Sequence, residues 1–143
     1  CAGDITVINS NAKFSLSETM LGLTPAQISP YVIKKAGFSN AKKLMITAER
    51  FDGIKAKEYH LADYLFDTDQ ELQEIEESLE KQILNCAPKA IIETKKILNK
   101  AYNRIDQDFI EYASKNFVEQ IIDGEGREGI LAFIEKRKPE WKK

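Results

Sequence analysis

The chain has 143 residues, of which 43% are hydrophobic and 31% charged, with a formal net charge of -2. That describes one ordinary domain, which at this length buries roughly 68–70% of the surface its unfolded chain exposes. The balance excludes the basic character of a typical nucleic-acid binder, and no apolar run approaches the roughly 18 residues of a membrane span. Two cysteines and one histidine leave neither a disulfide framework nor a Cys/His metal site to expect.

The chain opens "CAGDITVINS", with Cys1 in place of Met and a strand-like segment almost at once. This beginning reads as a domain entered partway through, the expectation being a piece of a longer protein. Strands are predicted at 4–9 and 12–17, joined by the turn-like "NSN" at 9–11. In the second strand Phe14 and Leu16 alternate with Ser15 and Ser17, the period of a half-buried strand, and the next position on the apolar side is Glu18. A carboxylate in line with Phe and Leu costs several kcal/mol, on the order of burying a charge, unless something compensates it. From the pattern alone, Glu18 is either a strand-end residue capping the turn at Thr19 or a group placed there for chemistry.

Gly22 and Pro25 then break regular structure. Ser29 followed by Pro30 predicts an N-cap and first helical residue, with Gly37 as the stop. Ser39 is the expected cap of a further helix whose Ala41, Leu44, Met45 and Ala48 form one apolar stripe. Asp52 is expected to cap a short helix through Tyr59, and "LADYLF" (61–66) reads as a strand. Beyond it every element is expected to be helical. Thr68 and Glu71 spell a capping box ahead of a stripe of Leu72, Ile75, Leu79 and Ile83. Pro88 starts a helix through about Asn103, and Asp106 caps one with Ile110, Ala113, Phe117 and Ile121 as its stripe. A last helix holds Ile130, Phe133 and Ile134. The acid-rich "DQELQEIEESLEKQ" (69–82) is read as a solvated helix face, opposite in sign to the basic tail "EKRKPEWKK" (135–143).

Gly124, Gly126 and Gly129 spell G-x-G-x-x-G, but they follow a helix with no βαβ unit around them, so a polar link between helices is the reading. His60 belongs to no nucleophile or metal motif and reads as structural.

Three segments carry a family resemblance: "AGDITVINSNAKFSLSETMLGLTPAQISPYV", "AKKLMITAERFDGIKAKEYHLADYLF" and "EGREGILAFIEKRKPEW". In order, they resemble the enoyl-CoA hydratase/isomerase (crotonase) superfamily over nearly the whole chain. The resemblance implies an α/β crotonase-like (ClpP/crotonase) fold, truncated, so that this chain is mainly α with a few short strands. Residues 1–66 would be the end of a spiral of strand–strand–helix units, and residues 67–143 a helical trimerisation region.

By the same resemblance Glu18 matches the family's proton-transferring glutamate. Ser17 and Ala26 match positions flanking the acyl pocket, while Phe117 and Lys136 match residues that hold the CoA nucleotide, commonly from a neighbouring subunit. For Phe117 simple core packing stands as the other reading, and for Lys136 a solvated terminal lysine. Both backbone donors of the family's oxyanion hole would lie outside the chain. The implied reaction is hydration of an enoyl-CoA thioester, coenzyme A being part of the substrate and neither a metal nor a separate cofactor being implied. Isomerisation, or a non-catalytic helical oligomerisation module, is the alternative. The expected partners are the acyl-CoA substrate and further copies in a homotrimer or hexamer, with no nucleic acid and no membrane, in a cytoplasmic setting.

Two departures from the family pattern matter. "TPAQISP" (24–30) stands where many members have a Gly-rich run and Thr-Gln, and it resembles a branch acting on branched, carboxylated enoyl-CoAs such as methylglutaconyl-CoA or isohexenylglutaconyl-CoA. His60 stands where a glycine is usual, which implies mild strain or a different helix stop.

Overall fold

A computed structural model describes residues 1–142, with Asn103 described by its backbone alone. The chain forms two compact units, residues 1–76 and 77–143.

The first unit holds all four described strands: β1 (Val7–Asn9), β2 (Lys13–Phe14), β3 (Phe51–Asp52) and β4 (Tyr64–Phe66). β1 pairs in parallel with β4, Ile8 opposite Leu65, and β2 pairs antiparallel with β3, Phe14 opposite Phe51. Between β2 and β3 run a 3-10 turn (Glu18–Leu21) and α1 (Ser29–Thr47), and α2 (Gly53–Glu58) lies between β3 and β4.

Both strands expected at the start are shorter than their sequence pattern. β2 ends at Phe14 because its partner β3 is only two residues long, so nothing pairs with residues 15–17. Leu16 still packs inward against both core clusters, but Ser17 turns the chain (φ -92°, ψ 2°) and Glu18 opens the 3-10 turn. The apolar side of a strand therefore does not run on to Glu18.

α1 corrects two further expectations. Gly37 (φ 77°, ψ 161°) leaves the helical region and splits the run into two helical segments, as the expected stop requires, but the second resumes directly after it, with no cap at Ser39. Asn40 donates from Nδ2 to the Ala36 carbonyl at 3.1 Å, satisfying an acceptor at the break. Ser29 is not the N-cap: that residue is Ile28, and the Ser29 hydroxyl bonds back to Ala26 O at 3.2 Å. The expected stripe holds, with Ala41, Leu44 and Ala48 buried and Met45 half-buried. Leu44 clusters with Phe51 and Ala56, and Val32 with Ala36 and Ala41. Full burial of a side chain such as Leu44 or Val32 is worth about 1.5–3 kcal/mol.

Asp52 caps α2 as expected, accepting from the Lys55 N–H at 3.0 Å. The helix ends with His60 at φ 61°, the Leu61 N–H bonding Ala56 O at 2.8 Å and the His60 N–H bonding Lys57 O at 3.0 Å. This is the bond pattern of a Schellman stop with histidine in the place glycine favours, at a cost of about 1–2 kcal/mol for the left-handed backbone. The implied strain at His60 is present.

Every described element after β4 is helical. α3 (Asp69–Leu84) carries the expected start, the Glu71 N–H bonding Thr68 Oγ1 at 3.2 Å, but Glu71 reaches back to the Asp67 N–H rather than that of Thr68. In the second unit α4 (Pro88–Asn103), α5 (Gln107–Ile122) and α6 (Glu125–Ile134) pack together. Asp106 caps α5 through the Phe109 N–H at 3.0 Å, as expected. The stripe expected on α5 does not form the core: Ile110, Phe117 and Ile121 are exposed, and the buried residue is Asn116, whose Nδ2 donates to Glu93 Oε2 on α4 at 2.9 Å. On α6, Ile130, Phe133 and Ile134 are exposed and Ala132 is buried.

The three glycines of 124–129 serve packing rather than a loop. Gly124 is the N-cap of α6, and Gly126 and Gly129 lie within the helix. A Cβ on Gly126 would stand 2.6 Å from Gln120 O, and one on Gly129 would stand 3.1 Å from the Trp141 ring. No described helix is long and apolar enough to cross a membrane.

Candidate functional site

Glu18 is the first residue of the 3-10 turn and is half-buried. The turn closes locally: the Met20 N–H bonds Ser17 O at 3.0 Å, the Leu23 N–H bonds Glu18 O at 3.0 Å, and Gly22 stands at φ 72°. The N-cap position belongs to Ser17, and no side-chain capping bond is made there. Among the described residues, none bonds or pairs with the Glu18 carboxylate. The reading of Glu18 as the cap of the turn at Thr19 therefore fails, since a cap must accept an N–H of the turn. What remains is a carboxylate half removed from water with both oxygens available.

Ser17 adjoins it on the same turn and is exposed. Ala26 is also exposed, ahead of α1, where its carbonyl accepts the Ser29 hydroxyl. A cavity of about 410 Å³ in the same unit is walled mainly by apolar side chains, among them Ile8, Phe14, Leu16, Ile28, Val32 and Leu61. Leu16, two residues before Glu18, is the nearest lining residue to it in the chain. Ser17, Glu18 and Ala26 are not part of the wall.

Phe117 and Lys136 belong to the second unit. Phe117 is 67% exposed on α5, which removes the core-packing reading. Lys136 follows α6 in the left-handed region (φ 54°), its N–H bonding Phe133 O at 3.2 Å while the Arg137 N–H bonds Ala132 O at 3.0 Å. Arg137 fixes this corner by pairing with Glu128 through both oxygens, at 2.6 and 2.8 Å. Lys136 is thus a lysine held at a defined helix stop, with its side chain in solvent.

Two residues near Glu18 that the sequence marks for no site role both bond to the end of α1. Thr19 Oγ1 donates to Met45 O at 3.1 Å, and Ser15 Oγ donates to Ala48 O at 3.2 Å. Their partners lie 26 and 33 positions away, so no local pattern could have shown them.

Known proteins resemble the chain over almost its whole length. Carnitinyl-CoA dehydratase of Proteus mirabilis is 27% identical over 150 residues, which cover 99% of this chain and 56% of that protein. An enoyl-CoA hydratase/isomerase from Marinobacter aquaeolei superposes with a TM-score of 0.92 at 30% identity, covering 100% of this chain and 54% of that one. AtuE of Pseudomonas aeruginosa superposes with a TM-score of 0.93 at 35% identity, covering 99% and 55%. The fold is therefore crotonase-like, here mainly helical with a few short strands, and the chain spans about half the length of the curated relatives it matches. The enoyl-CoA hydratase/isomerase family model matches residues 1–143, and the chain belongs to that family.

Proposed function

We propose that the protein hydrates an enoyl-CoA thioester and that Glu18 carries the proton. The observation behind this reading is the half-buried Glu18 carboxylate on a closed turn, without a bonding partner among the described residues. In the proposed step a water oxygen bonds the β-carbon and Glu18 delivers a proton to the α-carbon. The water's own proton restores the glutamate, so one water is consumed. The enolate formed on the way requires N–H donors aimed at the thioester oxygen, usually the largest single contribution to such catalysis. By the family resemblance those donors lie outside this chain, Ser17 and Ala26 flank the acyl group, and Phe117 and Lys136 hold the CoA nucleotide, with copies of the chain joined as a trimer or hexamer.

The dehydratase name of the Proteus relative favours water addition over isomerisation, because dehydration and hydration are one reaction run in two directions. The "TPAQISP" segment favours a branched, carboxylated acyl group of the methylglutaconyl-CoA type. Incubating the full-length protein with crotonyl-CoA and with methylglutaconyl-CoA, followed by mass analysis, tests the reading. A product heavier by one water, formed faster from the carboxylated substrate, is expected. A product of unchanged mass would make Glu18 an isomerase residue instead. The 143-residue chain alone is expected to be silent in the same assay, and turnover by a homogeneous 16.3 kDa species would overturn that expectation.

A further inference from the structure

Glu18 has to be held in place by something other than its own oxygens. A carboxylate that exchanges its proton with a substrate carbon loses that freedom if strong donors occupy it, and among the described residues none does. The turn that carries it is a four-residue 3-10 segment, a form with poorer hydrogen-bond geometry than an α-helix. Its apolar residues add no anchor, because Met20 and Leu21 are both exposed.

The anchoring is done by the two flanking hydroxyls. The last four carbonyls of a helix have no partner within it. At the end of α1, the Leu44 carbonyl accepts the Ala48 N–H at 3.0 Å and the Met45 carbonyl accepts Thr19 Oγ1 at 3.1 Å. Ala48 is itself left-handed (φ 49°), and its carbonyl accepts Ser15 Oγ at 3.2 Å. Three residues before Glu18 and one residue after it, the chain is thus tied to a helix end whose core residues Leu44 and Ala48 are buried.

We propose that Thr19, together with Ser15, is a positioning residue for Glu18, its hydroxyl bond to the Met45 carbonyl setting where the carboxylate meets the substrate. The proposal rests on the reading of Glu18 as the proton carrier. Threonine suits the task because its branched Cβ restricts χ1, so one hydrogen bond fixes the side chain and, through it, the turn. Thr19 is exposed, so water can take the place of its hydroxyl at Met45 O. Losing the bond therefore costs little stability, whereas a misplacement of about 1 Å can cost about 10²-fold in rate.

The test measures kcat, KM and thermal midpoint on the full-length protein with an enoyl-CoA that it turns over. Thr19→Val is expected to lower kcat by roughly 10–10²-fold with KM nearly unchanged, and Thr19→Ser to recover most of that loss. In a Glu18→Gln background, Thr19→Val is expected to cost nothing further, since it acts only through Glu18. Should Thr19→Val not fold, Ser15→Ala removes the other tether and is expected to show the same loss confined to kcat. The proposal is overturned if both tether variants keep the original kcat while Glu18→Gln is inactive, or if Thr19→Val costs as much with Gln at position 18 as with Glu. Full turnover by Glu18→Gln would instead remove the proton-carrier reading.

Discussion

A Cβ placed on Gly53 would stand 2.3 Å from the carbonyl oxygen of Asn9, and 2.8 Å from the Cα of Ser10. Both atoms are backbone, so they cannot swing aside as the end of a side chain would. The Gly53 N–H also bonds Ser10 O at 2.9 Å, which holds the start of α2 against the turn after β1. Gly53→Ala is therefore expected to destabilise the protein by about 1–3 kcal/mol, the usual cost of overpacking. Thermal or urea unfolding of the variant checks this, and an unchanged midpoint would mean that the contact yields freely.

Local signals in the sequence served well where the partner lies within a few residues. Asp52 and Asp106 each reach an N–H three positions ahead, and both caps form. The stripe of Ala41, Leu44 and Ala48 faces the core because α1 has an apolar side to bury. Ser29 is a misreading of a local kind: its N–H already bonds Pro25 O at 2.9 Å, because the chain is turning before the helix begins. Others arise where a distant partner decides. The apolar stripe of α5 is real as a pattern, but periodicity does not say which neighbour it meets, and Asn116 faces inward because Glu93 on α4 accepts from it. Glu18 stands out in the sequence through its place among Phe14 and Leu16. The shortness of β3, which ends the strand before Glu18, is legible only in the pairing.

Glu49 predicts a response to acid. Its carboxylate accepts from Lys55 Nζ at 3.1 Å and from Tyr59 OH at 3.2 Å, and it pairs with Lys43 Nζ at 3.1 Å. The bond from the Lys55 ammonium, then that from Lys43, holds its pKa at about 2, below the ordinary 4.5. A carboxyl depressed in the folded state stabilises the fold above its unfolded value and loses that contribution as pH falls through its folded value. The window is therefore pH 4.5 down to about 2. Thermal midpoints across it are expected to fall more steeply for the original protein than for Glu49→Gln, which has no proton to take up there. Other carboxylates, Glu93 and Glu128 among them, are also depressed by cationic partners, so the difference between the two curves is the quantity to read. Parallel curves would count against the Glu49 cluster as a source of acid sensitivity.

The helical unit presents large apolar side chains to solvent, with Phe133 at 84% exposure and Ile134 at 68%. Apolar surface of this kind on a folded unit marks an interface more often than it is left bare, and identical chains close such surfaces by symmetry. Self-association is expected, with light scattering giving a mass that is a multiple of 16.3 kDa. Phe133→Lys places a charge in that surface and is expected to shift the distribution toward the single chain. A monomer across the micromolar range for the original sequence would defeat the expectation.

The most direct prediction concerns Glu18 itself. Glu18→Gln keeps the size and shape of the side chain and removes the proton it can carry. As the proton carrier, its loss is expected to lower turnover by roughly 10²–10⁴-fold, the usual worth of a positioned acid or base. KM is expected to change little, because the groups that bind the thioester and the nucleotide are untouched. Stability is the deciding second measurement. Ser17 holds the cap position of the turn, and among the described residues none bonds the Glu18 carboxylate, so removing its charge takes away no fold contact. The thermal midpoint is accordingly expected to stay within the range of an ordinary surface change, about 0.5 kcal/mol. Turnover and midpoint measured on one Glu18→Gln preparation separate the two roles: a stable, nearly inactive variant identifies the proton carrier, and a destabilised but fully active one would return Glu18 to a structural part in the turn.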